Sequence, residues 1–404
     1  MRSPVIYRHR RDAAMIGTAT AIIMLFASCA FAGLDDPAYK EGFGKDATGG
    51  AGQPECVVSS SKSTGLGTLD ACFSESSSTI SNRTIVFSVS TATLPWVRNI
   101  NSNVTVDGCA NGMNGVTLDF SDKTLKQGFG VRDPASNVIF RCLNFRGSGA
   151  PNSYGAAANL IYVTGGTVGP HSYASNVLID RCTFYQASDK AVDLTSYVQN
   201  ITVQRSLFYG SAVTMLIKYD TRKNISVHHN VFAHNGERHP QAKGDMQLLD
   251  FVNNVVYVND VRNFADGTST APYGSRLYSC GAGCDSPGDV VANLINNAYI
   301  GAGTQMELLT GPGAGSNANA YIHGNLCVPS SNCQASPRAT PNVVPAAYAL
   351  TTLEPGQLAS QMLPFVGAPN RTPLDQQRLD EVASALKNSA TSTRPPAPSG
   401  LTIR

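Results

Sequence analysis

The chain has 404 residues, of which 42% are hydrophobic and only 14% charged, with 37 glycines, ten cysteines and a formal charge of +2. No basic stripe runs through it, and phosphate neutralisation needs clustered Lys and Arg, so a nucleic-acid surface is excluded. A chain of this length ordinarily divides into two domains unless a repeat lets one fold grow along an axis.

Residues 1–32 read as a secretory signal. Arg2, Arg8, Arg10 and Arg11 precede an apolar run from Ala13 to Ala27, and Ala30, Phe31 and Ala32 place small residues before a cleavage point at Gly33. The run is too short for a membrane span. Cys29 offers lipidation as the alternative use of this segment. Removal of the signal leaves 26 basic against 27 acidic residues, a formal charge of −1. The mature protein is expected to be a monomer with no membrane anchor, exported to the extracellular space or the periplasm. Export permits disulfides. The local pairings Cys56–Cys72, Cys280–Cys284 and Cys327–Cys333 are expected, whereas Cys109, Cys142 and Cys182 fall at repeat positions and are expected as buried thiols.

Thr68 to Phe73 reads as a short helix closing the N-terminal end of the fold, and Asn137 to Phe145 as the first clear rung of a ladder. The ladder proper follows, because Cys182, Ser206, Asn230 and Asn254 recur every 24 residues. Each is preceded by an alternating Val/Ile/Leu strand, and Phe follows two residues after Cys182, Ser206 and Asn230. A strict period of this size is one supersecondary unit stacked on copies of itself. Alternation with a polar bend predicts coils whose apolar side chains face inward and whose bend asparagines bond the backbone of adjacent coils. Asn293 to Tyr299 and Asn319 to Cys327 extend the ladder with longer loops between rungs. The predicted fold is all-β, a single-stranded parallel β-helix over residues 33–372 with short capping helices. Leu374, Leu379, Val382 and Leu386 predict an amphipathic helix covering the other end, and residues 388–404, rich in Ser, Thr and Pro, a loose tail.

Two stretches resemble polysaccharide lyase family 1, the pectate lyase and pectin lyase family. One is Glu41 to Gly50 followed by Thr84 to Val89. The other runs from Asn176 to Asn254 and holds, in the family's order, Val177 to Cys182, Asp189 to Asp193, Thr214 to Ile217, His228 to Asn230 and Arg238 to Pro240. The resemblance implies that the parallel β-helix is right-handed, and it implies β-elimination on acidic polysaccharide, chiefly polygalacturonate, with calcium as the usual ion on the substrate carboxylate and Arg238 as the base. It also implies Lys243 as a substrate-binding cation in place of a family arginine, and Asp189, Asp193 and Asn159 as calcium ligands. Asn159 stands where the family has an aspartate, and Ala157 where it has another acid. Val213 replaces a substrate-binding lysine, which leaves Lys218 or Lys190 to meet the same carboxylate.

Register adds a geometric expectation. The eighth residues after Cys182, Ser206 and Asn230 are Lys190, Thr214 and Arg238, which equal spacing would stack about 4.8 Å apart per coil. On a straight strand Asp189 and Asp193 lie about 13 Å apart, so one ion reaches both only if the chain bends between them. His228 and His229 are read as structural, since adjacent strand residues point to opposite faces. Lys190, inside the acidic segment, could itself supply a cation, as in the calcium-independent pectin lyases. A non-catalytic β-helix that binds acidic polysaccharide is the third reading. Hydrolysis is set aside because the paired aspartates and Gly-His-Gly signature of β-helical hydrolases are missing.

Overall fold

The computed structural model describes Leu34 and residues 39–73, 79–122, 128–149, 159–166, 171–187, 189–258, 274–310, 318–333 and 350–392. The expected signal segment, Cys29, Ala157 and the tail beyond 392 lie outside them. Three parallel sheets of ten, nine and nine strands wind into a right-handed β-helix. One complete coil reads Val198–Gln204 in the first sheet, Leu207–Tyr209 in the third and Val213–Lys218 in the second.

The 24-residue ladder is the inner seam at the bend between the first and third sheets. Ser206 Oγ accepts from Cys182 N–H at 3.1 Å, and Asn230, Asn254, Asn297 and Asn325 each accept the backbone N–H of the preceding rung at 2.8–3.1 Å. The amides of Asn230, Asn254, Asn297 and Asn325 donate in turn to the carbonyls of Val203, Val227, Phe251 and Leu294. The seam asparagines thus have both their amide oxygen and their amide nitrogen paired. Two positions on, Phe184, Phe208 and Phe232 sit inward and stack with centroids 4.7 Å apart, and Phe145 continues the stack at 4.9 Å. A second row, Asn176, Asn200 and Asn224, holds the left-handed backbone region at φ near 55° and is linked by side-chain amides. Asparagine tolerates that region better than most residues.

Cys142 corrects the expected ladder. Asn144 pairs with Thr183, so Leu143 and not Cys142 occupies the seam position of Cys182. Cys142 therefore falls on the left-handed bend residue and forms a disulfide with Cys109. Cys56–Cys72, Cys280–Cys284 and Cys327–Cys333 are bonded as expected, and Cys182 is a buried thiol.

Near the N-terminus, the 3-10 turn Asp70–Cys72 sends Leu69, Cys72 and Phe73 into the core. The opening segment then lies flat on the outside of the first sheet. Gly44 N–H bonds Thr202 Oγ1 at 2.8 Å and Gly50 N–H bonds Thr105 Oγ1 at 2.9 Å. A side chain at Gly44 would meet Val177 O at 2.4 Å, so this glycine is required by close approach.

The helix Pro373–Ser392 differs in place from the expectation. It runs along the side of the solenoid, with Leu379, Val382 and Leu386 in a second apolar cluster with Leu207, Val231, Val255 and Ala298. The third sheet is apolar on both faces, and its outward row needs a cover more than the end does. Asp375 fixes the helix start, accepting from Thr372 N–H, Arg146 and Tyr209 at 2.6–2.9 Å. Among the described residues no helix is long and apolar enough to cross a membrane.

Candidate functional site

The residues expected to carry chemistry lie on or beside the outward face of the second sheet, but Lys190 leaves the column it was expected to share with Thr214 and Arg238. Lys190 pairs with Val213, and Val213 with Glu237. The segment from Tyr185 to Lys190 is one residue longer than its counterpart from Tyr209 to Val213, so the register slips by one. Thr214 and Arg238 remain neighbours as expected, the Thr214 hydroxyl bonding the Arg238 carbonyl and His239 Nδ1. Arg238 has a left-handed backbone, with φ 66°, and precedes the cis peptide His239–Pro240. This bulge shifts the next pairing to Leu216–Gln241 and sets Arg238 out of the regular strand.

The acidic segment bends where the strand Lys190–Thr195 begins, so Asp189 and Asp193 do approach one another. What lies between them is the Lys190 ammonium, 2.6 Å from Asp189 Oδ2 and 3.7 Å from Asp193 Oδ2. Asn159 turns its amide nitrogen to Asp193 Oδ2 at 2.9 Å and its oxygen to Lys190 N–H at 3.3 Å. Asp193 is almost wholly buried and its Oδ1 is without a hydrogen-bond partner. Burial pushes its carboxyl up to about 6, opposed by Lys190 and, more weakly, by Asn159 and Arg238. Arg238 Nε also lies 2.9 Å from Glu237 Oε1, an ion-pair contact not aligned as a hydrogen bond.

Calcium takes six or more oxygen ligands. Here one carboxylate oxygen of each aspartate faces an ammonium, and the Asn159 oxygen is held by a backbone N–H. In this arrangement Asp189, Asp193 and Asn159 surround Lys190 and not a metal ion.

Lys218 and Lys243 form a separate cationic pair on neighbouring coils. Both ammoniums reach one carboxylate, Asp285, which Lys243 contacts at 2.6 Å. The two lysines hold the Asp285 carboxyl down to about 2. Lys218 is thus at the far end of its strand from Val213, and Lys190 is the cation beside that position. Thr214 was marked by the register, whereas Asp285 and Glu237 carry no signal in the sequence that sets them apart. Only the loop course and the bulge bring them to this face.

Solved structures with the same fold include the major cedar-pollen allergen jun a 1, with TM-score 0.59 and 16% identity over 81% of this chain and 92% of that one. A doubly substituted pectate lyase from Xanthomonas campestris gives 0.51 at 17% over 82% and 98%, and the thermostable pectate lyase PL 47 gives 0.51 at 13% over 82% and 97%. No protein-family model and no curated protein matches the sequence. At these identities the likeness is one of fold.

Proposed function

We propose that this chain is an exported lyase that cleaves polysaccharides of the pectin class by β-elimination, acting without calcium on a uronate residue whose carboxyl is esterified. The observation that carries the reading is the Lys190 ammonium lodged between Asp189 and Asp193, in the column that runs through Val213 to Glu237, the residue before Arg238. Four disulfides and the fold shared with pectate lyases support it.

In β-elimination a base takes the C5 proton, the C5–H electrons form the C4–C5 double bond, and the C4–O4 bond breaks. A free carboxylate resists, because charge develops beside charge already present. A bound cation or an ester relieves this. Two carboxylates and one ammonium leave the niche at about −1 with Asp193 ionised, which repels an anionic sugar and tolerates an ester. Arg238 is the proposed base. Paired with Glu237 it is a cation, since a guanidinium stays protonated far above neutral pH. Before it can take the C5 proton the guanidinium must first give up one of its own to solvent, which separation from Glu237 and the approach of the Lys190 ammonium would favour.

The test supplies polygalacturonate and methylated pectin, each with calcium and with chelator, and follows the ultraviolet absorbance of the unsaturated product. Product from methylated pectin, unchanged by chelator, is expected. Product from polygalacturonate only with calcium would overturn the ester and ion assignments. No product from either would leave a polysaccharide-binding β-helix without activity.

A further inference from the structure

We infer that Lys218 and Lys243 form a carboxylate subsite that the chain fills with its own Asp285, so that the loop from Cys280 to Gly288 competes there with an acidic ligand. The inference rests on the proposed reading of this face as a polysaccharide groove.

The lysines end adjacent strands of the second sheet, and each ammonium is also over an aromatic ring, Lys218 on Tyr219 at 4.4 Å and Lys243 on Tyr278 at 5.0 Å. Their side chains are only 15% and 18% exposed. Two ammoniums held in place by rings and strands, converging on one carboxylate, make a preformed acceptor site. The occupant is less constrained, for the Asp285 side chain is 51% exposed.

The loop does not depend on that carboxylate for its position. Cys280 and Gly288 exchange backbone hydrogen bonds at 3.1 and 2.7 Å, and Cys280 is bonded to Cys284. Ser286 Oγ donates to Lys243 O at 3.0 Å and accepts from Tyr219 N–H at 3.1 Å. With these contacts kept, the Asp285 side chain can turn away without the loop unfolding. An ion pair with one half-exposed partner contributes little to stability, so an incoming carboxylate displaces it at small cost. While it stays, the ligand meets a net charge of +1 instead of +2.

Calorimetry with tetragalacturonate and with its methyl ester tests this on the full chain. Asp285→Asn should bind the acid tetramer about fivefold more tightly than the parent or better, with a steeper salt dependence, and bind the ester equally. Adding Lys218→Met and Lys243→Met to Asp285→Asn should remove the gain. Equal acid affinity in parent and Asp285→Asn, or no binding by either, overturns the inference. Should Asp285→Asn not fold, Asp285→Ser is measured against the same outcomes. Binding is read without turnover, so a gain in a protein that releases no unsaturated product would sink the lyase reading and leave the subsite standing.

Discussion

Lys190 sets the charge of the reactive niche, and its removal separates two accounts of that niche. Lys190→Met leaves Asp189 and Asp193 facing each other uncompensated, a better cation trap than the parent. The parent is expected to show no calcium uptake by calorimetry and Lys190→Met measurable uptake. Activity on methylated pectin should fall at least about tenfold in the same variant, a barrier increase of about 1.4 kcal/mol. For Arg238 the proposed role is stricter. Arg238→Ala should abolish product while the circular dichroism and melting temperature stay near the parent's. Activity within about threefold, under about 1 kcal/mol of barrier, would remove Arg238 from the mechanism. Arg238→Lys should be nearly as poor, because a point charge reproduces neither the reach nor the planar fork.

At the scale of the elements, stability concentrates in the seam between the first and third sheets. Asn230 pairs with Ser206 N–H and Val203 O on one side and Asn254 on the other. Replacement by Leu strands two backbone groups in a dry interior, at about 2 to 4 kcal/mol together. The melting temperature of Asn230→Leu should drop by several degrees, and an unchanged value would mean that water reaches the seam. The N-terminal segment makes a different demand. Gly44→Ala forces a methyl group onto Val177 O and Thr202 N, at 2.4 and 2.7 Å. The segment should lift off, which hydrogen exchange would register as lost protection in residues 41–50 with the coils unchanged.

The whole molecule carries a pH dependence in its buried histidines. His228 and His229 are both fully buried with Nδ1 atoms 2.8 Å apart, because the left-handed backbone of His229 breaks the alternation that would have sent them to opposite faces. Both rings face Tyr39, and Arg205, in a buried ion pair with Asp180, lies nearby. Burial lowers His228 to about 3 and His229 well below the usual histidine range. The unfolded chain binds protons at these residues near pH 6.5 and the folded chain does not. Stability is therefore full above about pH 6.5 and falls as pH drops toward about 3, by up to about 1.4 kcal/mol per pH unit for each ring. Urea midpoints measured from pH 7.5 to 4.5 should fall steadily, and His228→Asn should flatten the slope. A slope unchanged in that variant would assign the acid sensitivity to other groups.

The sequence alone determined the solenoid. A 24-residue period with inward Val, Ile, Leu and Phe and a bend asparagine admits few other solutions, since each coil is stable only when its neighbours cover it. Three local disulfides were legible for a related reason, as cysteines a few residues apart have little room to pair elsewhere. The column of Lys190 was not legible. Equal counting from Cys182 put Lys190 over Thr214 and Arg238, whereas one extra residue before Lys190 moved it to Val213 and Glu237. A slip of one residue turns every side chain to the other face, so only the hydrogen-bonded register fixes who meets whom. The placement of the C-terminal helix, the Lys190 ammonium between two aspartates and the Asp285 carboxylate over two lysines belong to the tertiary structure as well. Each joins groups through space across bends and loops, where no sequence period operates.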